Sequence, residues 1–126
     1  DIWVSTYNPA AGEWGRPENF EIINSEGREM SPYIAEDNVT LIFASDFYQP
    51  NYGGLDLYIT RFDLKTGTWS KPQNLGKSIN TANDELMPTL AGGGKYMIYT
   101  SARGDDDNRQ LDLYMAKFPK PVIVKK

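Results

Sequence analysis

Residues Asp56–Gly76 read DLYITRFDLKTGTWSKPQNLG and carry the sequence signature of a β-hairpin. Leu57 and Ile59 alternate with Tyr58 and Thr60, and an alternation with period two is typical of a β-strand. Gly67 is free to adopt a positive φ, as a tight turn requires. Trp69 opens the return strand, and Pro72 and Gly76 end it. We therefore predict two antiparallel strands joined by a short turn.

The same pattern occurs elsewhere in the chain. It is present 55 positions earlier in Asp1–Phe20, and it begins again 56 positions later in Asp112–Phe118. The first two copies match in the pairs Tyr7/Phe62, Gly12/Gly67, Trp14/Trp69, Pro17/Pro72 and Asn19/Asn74. Self-similarity at a fixed spacing predicts a chain built from one structural unit.

A second block also repeats, because Glu29–Ser45 aligns with Glu85–Ser101 at an offset of 56. Each copy is expected to form a short strand after its proline, a tight turn, and then a stronger strand. The stronger strands are predicted over Val39–Ala44 and Lys95–Thr100, which are rich in β-branched and aromatic residues. No amphipathic helix is evident, and Ser78–Leu86 is expected to be a turn-rich connection.

One unit is therefore four strands over about 55 residues, and such a unit favours an all-β fold of the β-propeller type. The chain divides into a half blade (1–20), a full blade (29–76) and a blade whose last strand departs from the pattern (85–124). A sandwich would not need this self-similarity, and a solenoid coil is usually shorter. About two and a half blades cannot close a ring of about 4–8. Either the chain is a segment of a longer protein or copies associate, and we favour the segment.

Composition narrows the class of function. The 126 residues suffice for one domain, and the net charge of −4 argues against a nucleic-acid partner. The absence of Cys and His removes thiol nucleophiles, disulfides and Cys/His zinc sites. No apolar run approaches the ~20 residues of a membrane span. Because the chain starts inside a repeat at Asp1, we expect that an upstream sequence was removed.

The order of these motifs resembles the WD-like β-propeller repeat of the TolB type, in the version found in bacterial cell-envelope proteins. The resemblance covers nearly the whole chain and rests on Pro32, Val39–Ser45, Gly53–Tyr58, Trp69–Pro72, Asn74–Gly76, Ile79–Thr81, Glu85 and Pro88. Two features depart from the family pattern. Gly92–Gly94 replaces the usual Asp-Gly turn, and the third hairpin lacks the Trp and the Asn-Leu-Gly.

The resemblance implies a propeller, a periplasmic or cell-envelope location in a Gram-negative-type bacterium, and non-enzymatic binding. It implies as partners the other blades of the same polypeptide or another protein chain of an envelope complex. Family members often carry peptidoglycan-binding domains of the OmpA type, so peptidoglycan association would come from domains outside this chain. The resemblance identifies no specific partner and implies no cofactor.

The recurring aspartates have two interpretations. Asp56 and Asp112 precede Leu-Tyr, and Asp1 precedes Ile-Trp. They could form a ring of carboxylates that binds a cation or an amine, or each could accept hydrogen bonds from the backbone of an adjoining turn. Recurrence in each unit favours the structural role, because active-site residues rarely need to recur.

Two tryptophans and an acidic loop are the next candidates. Trp14 and Trp69 could stack on sugar rings, but packing between neighbouring sheets is favoured. Three consecutive aspartates lie within Gly104–Asn108. Their spacing is not the alternating pattern of a calcium loop, so we expect a solvated loop and no metal.

Aromatic residues in the loop Asp46–Gly54 are the best candidate for an interaction site. Phe47, Tyr48 and Tyr52 either fold onto their own blade or form a contact surface. The positions that the repeat marks as structural are Trp14, Pro17, Asp56, Tyr58, Trp69, Pro72, Asn74, Asp112 and Tyr114.

No motif singles out catalytic residues. The sequence therefore favours a binding or scaffolding module over two alternatives. One is a glycan- or peptide-processing propeller that uses paired carboxylates. The other is a lectin-like binder that uses Trp and Tyr side chains.

Overall fold

The computed structural model describes residues 1–104 and 110–118. Every regular element in this part of the chain is a β-strand, so the all-β prediction is confirmed. The strands are β1 (Trp3–Val4), β2 (Tyr7–Asn8), β3 (Glu13–Trp14), β4 (Glu18–Asn19), β5 (Glu29–Ile34), β6 (Thr40–Ser45), β7 (Asp56–Asp63), β8 (Thr68–Trp69), β9 (Gln73–Asn74), β10 (Glu85–Ala91), β11 (Tyr96–Ser101) and β12 (Asp112–Lys117).

The middle sheet contains the predicted hairpin Asp56–Gly76. Its strands β5, β6 and β7 are antiparallel neighbours, and the short strands β8 and β9 both pair with β7. Phe62 lies opposite Trp69, and Gly67 in the turn has a φ of 67°. The predicted hairpin is therefore present. The connection over Ser78–Leu86 contains no helix, as predicted.

The two stronger strands begin one residue later than predicted. Val39–Ala44 and Lys95–Thr100 were expected, whereas β6 and β11 start at the following residue in each case. In the first copy, a carboxylate oxygen of Asp37 accepts hydrogen bonds from the amides of Val39 (3.0 Å) and Thr40 (2.9 Å). These bonds extend the turn through Val39.

The expectation that the preceding strands begin after their prolines is wrong. β5 and β10 run through Pro32 and Pro88 instead. Directly before the prolines, Ser31 and Met87 have positive φ angles of 52° and 51°, and both strand pairings shift register there. A bulge leaves residues outside the ladder, so a proline can lie within the strand although it cannot donate a hydrogen bond.

A smaller hairpin precedes the middle sheet, and a three-stranded sheet follows it. In the N-terminal hairpin β1 pairs with β4 and β2 with β3, so that Tyr7 lies opposite Trp14 as Phe62 does opposite Trp69. The C-terminal sheet has the order β10-β11-β12. The expected fourth strand of this unit falls after Phe118, outside the described residues.

The middle sheet is covered on both faces, which explains why all six residues of β6 are buried. The core between the middle and C-terminal sheets contains Ile42, Ala44, Leu55, Leu57, Ile59, Ile79, Met97, Tyr99 and Phe118. The core between the middle sheet and the N-terminal hairpin contains Ile2, Ile23, Leu41, Phe43 and Tyr58. Alternate residues of β6 point into the two cores, as the pleat of a strand requires. The three layers are therefore stacked in chain order.

Candidate functional site

Asp56 is a buried carboxylate that joins two segments of the middle unit. Its Oδ2 accepts hydrogen bonds from the Tyr52 amide (2.8 Å) and from Asn74 Nδ2 (2.7 Å). Asn74 Nδ2 also donates to the carbonyl of Pro50 (2.9 Å). Burial raises the pKa of Asp56 above its ordinary value of 3.8, although the two hydrogen bonds oppose the rise. These contacts are of the kind expected if Asp56 has a structural role and supports an adjoining turn.

The other two recurring aspartates have different surroundings. Asp1 Oδ2 accepts a hydrogen bond from Asn19 Nδ2 (2.7 Å), which reproduces the bond between Asp56 and Asn74. Asp112 is exposed at the start of β12, and the described residues provide it with no such asparagine. The contact is therefore shared by the first two units only.

A second pair of asparagines, which the sequence analysis did not single out, binds strand backbone. Asn80 accepts a hydrogen bond from the Leu57 amide (2.8 Å) and donates one to the Leu57 carbonyl (2.9 Å). Asn24 makes the same two contacts with Ile2, both at 2.8 Å. The signal was the spacing of 56 positions between the two asparagines, which equals the repeat.

Two buried glutamates each accept hydrogen bonds from the preceding loop and from a serine at the end of a strand. Glu85 accepts hydrogen bonds from the Thr81 hydroxyl (2.6 Å), the Thr81 amide (2.8 Å) and the Ser101 hydroxyl (2.7 Å). Glu29 is held in the same way by Ser25 and Ser45. Both glutamates were matched in the sequence but had no assigned role. Their oxygens are occupied by neighbouring donors.

Arg103 covers the end of the C-terminal sheet at which Glu85 and Ser101 lie. Its guanidinium carbon lies 4.6 Å from the centre of the Tyr114 ring and 5.4 Å from that of Tyr99. Its Nε donates to the Ser101 hydroxyl (2.8 Å), and Nη2 lies 3.5 Å from Glu85 Oε1. Tyr114 is therefore a partly buried packing residue that faces the core.

The two tryptophans lie in different environments. Trp69 packs edge-on against Phe20, with ring centres 5.5 Å apart, and lies tilted against Phe62 at 5.4 Å. It is partly buried between the N-terminal hairpin and the middle sheet. Trp14 is 69% exposed and contacts the ring of Tyr7 at 5.3 Å. The expectation of packing between sheets therefore does not hold for Trp14, because no described residue covers its outer side.

Both signature prolines lie where the fourth strand of a unit leaves the ladder. Pro17 is exposed between β3 and β4, and Pro72 is partly buried between β8 and β9. A proline costs no ladder hydrogen bond at such an interruption. Pro72 also borders an open groove of about 420 Å³ beside Trp69 and Tyr48.

The aromatic loop divides into anchored and exposed side chains. Tyr48 folds onto its own unit, where its ring lies 5.6 Å from that of Tyr58. Its hydroxyl donates a hydrogen bond to the carbonyl of Ile23 (2.7 Å) in the preceding turn. Tyr52 is partly buried, and Lys77 Nζ lies 5.4 Å from the centre of its ring. Phe47 is 47% exposed. Of the three candidates, Phe47 is the most available for contact.

Tyr58, in strand β7, holds the backbone of this loop. The buried hydroxyl of Tyr58 lies 2.7 Å from the carbonyl oxygen of Tyr48 and 2.8 Å from that of Pro50, so its one proton is shared between the two acceptors. Burial raises the pKa of Tyr58. The loop is therefore held by buried hydrogen bonds.

The outer surface of the C-terminal sheet is apolar. Tyr99 and Tyr114 belong to the core against the middle sheet. Strand alternation puts Ile98, Leu113 and Met115 on the opposite surface. Leu113 is 76% and Met115 67% exposed, and Met115 lies opposite Ile98 in the ladder. We call these three residues the C-terminal aliphatic face.

The outer surface of the N-terminal hairpin carries aromatic rings. Ile2 is buried against the middle sheet, and Trp3, the next residue, is 58% exposed. Tyr7 and Trp14 lie opposite each other in the ladder and are also exposed. We call Trp3, Tyr7 and Trp14 the N-terminal aromatic face. The stack therefore exposes one apolar surface at each end.

Residues 1–104 and 110–118 offer neither a cluster of metal ligands nor a membrane-spanning helix. This part of the chain contains no group of three or more acidic, His or Cys side chains arranged to hold a metal ion. The aspartates 105–107 lie outside it. Within the same residues, no helix has the length and apolarity to cross a membrane.

Comparison with protein-family models, curated proteins and solved structures gives no significant match to this chain.

Proposed function

We propose that the chain is a β-propeller segment that acts as a non-enzymatic protein-binding or scaffolding module in a bacterial cell envelope. One observation carries this proposal. The C-terminal aliphatic face is exposed, whereas the residues 56 positions earlier are buried under a neighbouring sheet. Those residues are Ile42, Leu57 and Ile59.

The propeller arrangement is supported by the recurrence of contacts from unit to unit. The Asp–Asn bond and the asparagine contacts with strand backbone occur in the first two units. The glutamate–hydroxyl contacts occur in both the middle and the C-terminal units, each with one hydroxyl from the preceding loop and one from a strand. Units of this kind stack face to face, because one four-stranded sheet has two surfaces to cover.

A binding role is favoured over catalysis by the use of the buried carboxylates. Glu29 and Glu85 accept hydrogen bonds from a loop and a strand of their own units. Asp56 accepts two through Oδ2, and its unpartnered Oδ1 is fully buried, so it faces no cleft. A glycosidase needs two carboxylates that face a shared cleft, with one of them able to exchange a proton. The envelope location rests on the resemblance to TolB-type repeats, and peptidoglycan association would come from other domains.

Photo-crosslinking in the source cells tests the proposal. A photoreactive amino acid replaces Met115, and a control replaces Leu64, which is equally exposed but lies in the turn between β7 and β8. We expect a discrete protein adduct from position 115 and none from position 64. Failure to form an adduct at 115 would contradict the proposal.

A screen for hydrolysis and glycan binding completes the test. Purified protein is incubated with peptidoglycan fragments and applied to a glycan array. We expect neither turnover nor retention. Turnover would replace the scaffold proposal with an enzyme. Retention that is lost on Trp69→Ala, without loss of folding, would favour a lectin that uses the groove beside Trp69.

A further inference from the structure

We propose that the partner of the C-terminal aliphatic face is the N-terminal aromatic face of a second copy of this chain, so that copies associate head to tail. This inference rests on the proposed function and names the occupant of the same surface. It adopts the association of copies in place of the segment of a longer protein that the sequence alone favoured. Its basis is the chemistry of the two contacts that already exist inside the molecule.

The contact between the middle and C-terminal sheets joins aliphatic to aromatic side chains. The middle sheet contributes Ile42, Leu57 and Ile59 to this core. The C-terminal sheet contributes Tyr99 and Tyr114, whose ring centres are 6.1 Å apart, together with Met97. Tyr33 is the one aromatic residue that the middle sheet adds. The layer that comes first in the chain is thus the more aliphatic of the two.

The contact between the N-terminal hairpin and the middle sheet has the same polarity. The hairpin and the turn after it contribute Ile2 and Ile23, with Phe20 as their one aromatic ring. The middle sheet contributes Phe43, Tyr58 and Trp69, with Leu41 as its aliphatic member. Again the earlier layer is mostly aliphatic and the later layer mostly aromatic.

The two exposed ends of the stack are the unused halves of this contact. Leu113 and Met115 occupy the positions that Leu57 and Ile59 occupy in the middle sheet. Trp3 and Tyr7 occupy the positions that Tyr58 and Phe62 occupy one unit later. An aliphatic end and an aromatic end of matching register are therefore present on one molecule.

Such a contact uses different surfaces on the two copies, so it is heterologous. A heterologous dimer leaves one aliphatic and one aromatic face free, and further copies can add until a ring closes. Contact between two identical faces would instead stop at a dimer. The two modes therefore predict different behaviour in mixtures.

Sedimentation of complementary variants distinguishes them. One variant carries Leu113→Glu and Met115→Glu, which blocks the aliphatic face. The other carries Trp3→Glu and Trp14→Glu, which blocks the aromatic face. Leu64→Glu is the matched control. All five substituted side chains are exposed, so each variant should match the melting temperature of the wild type at a dilution where the wild type is monomeric.

We expect the wild type and Leu64→Glu to sediment as species larger than a dimer at micromolar concentration. Each face variant alone should sediment as a monomer of 14.2 kDa. An equimolar mixture of the two should shift to a species of two chains. It should grow no further, because the one intact face of each kind is used in that contact and both free ends are blocked. If a glutamate variant melts early, the pair Leu113→Thr and Met115→Thr replaces it, since threonine suits a strand.

Three outcomes would overturn the inference: a monomeric wild type, a face variant that dimerises alone, or a mixture that stays monomeric. The crosslink at position 115 separates this failure from failure of the proposed function. An adduct with a different protein would leave the module role intact and remove the second copy as its partner. The absence of any adduct would remove both.

Discussion

At the residue scale, the buried polar side chains hold the loops of their own units. Asp56, Asn80 and Glu85 each bond backbone or side-chain donors from a segment that would otherwise cross the end of a sheet unsupported. A buried polar group is costly unless it is paired, so these residues fix one loop conformation over others. Their recurrence therefore reflects the needs of the fold.

The two tryptophans give the first prediction. Trp69→Ala should lower the free energy of unfolding by about 3 kcal/mol, because it removes a ring packed against Phe20 and Phe62. Trp14→Ala should change it by only about 0.5 kcal/mol, since its ring is mostly exposed. Urea denaturation of both variants measures the difference. Equal losses would show that Trp14 is buried in solution, as it would be in a head-to-tail assembly, so dilute samples are required.

A pH prediction follows from Asp56. Its folded pKa is raised above 3.8, so the folded state binds more protons than the unfolded state between the two pKa values. The Asp56 contribution to stability therefore falls as pH rises from about 3.8 through the folded pKa. The unfolding free energy of the wild type minus that of Asp56→Asn should decrease from pH 4 to pH 7. An increase over that range would mean that the hydrogen bonds from Tyr52 and Asn74 outweigh burial.

At the scale of the element, the sequence predicted the strands well and the packing of their side chains only in part. The hairpin at Asp56–Gly76 was predicted correctly because Gly67 and the alternation before it are local signals. The starts of β5 and β10 were missed, because the bulges at Ser31 and Met87 depend on left-handed backbone at residues that rarely adopt it.

Residues that match between two copies of the repeat do not have equivalent neighbours in the structure. Trp14 and Trp69 match in the repeat, but Trp69 has a layer on its outer side and Trp14 does not. Asp112 likewise matches Asp56, although the described residues supply its asparagine only in the earlier units. Burial depends on which layers are present, and a pairwise match carries no such information.

The contact of Asn80 with β7 gives a prediction at this scale. Asn80→Ala should lower the free energy of unfolding by about 1–3 kcal/mol, because it leaves the buried amide of Leu57 without its acceptor. The carbonyl of Leu57 loses the bond from Asn80 but keeps the one from the Leu75 amide (3.0 Å). Asn83→Ala is the control, since Asn83 is exposed in the same connection. Thermal unfolding monitored by circular dichroism compares the two. A small effect of Asn80→Ala would imply that water replaces the amide.

At the scale of the whole molecule, the covered middle sheet should be the most persistent part of the structure. Every residue of β6 is buried, whereas β12 alternates between exposed and partly buried residues and β1 is exposed. Amide hydrogen exchange should therefore be slowest in β6 and β7 and fastest in β1–β4. Rates in the N-terminal hairpin that match those of β6 under dilute conditions would contradict this gradient.

The register of the bulged strands has a consequence for how such a chain can change in length. Ser31 and Met87 lie 56 positions apart, as do the glutamates that begin β5 and β10. A tandem duplication of residues 29–84 would join each glutamate to a hydroxyl loop of the kind it already binds. An insertion between Thr81 and Glu85 would instead separate the carboxylate from its loop. Growth by whole units is thus a kind of lengthening that preserves every glutamate contact.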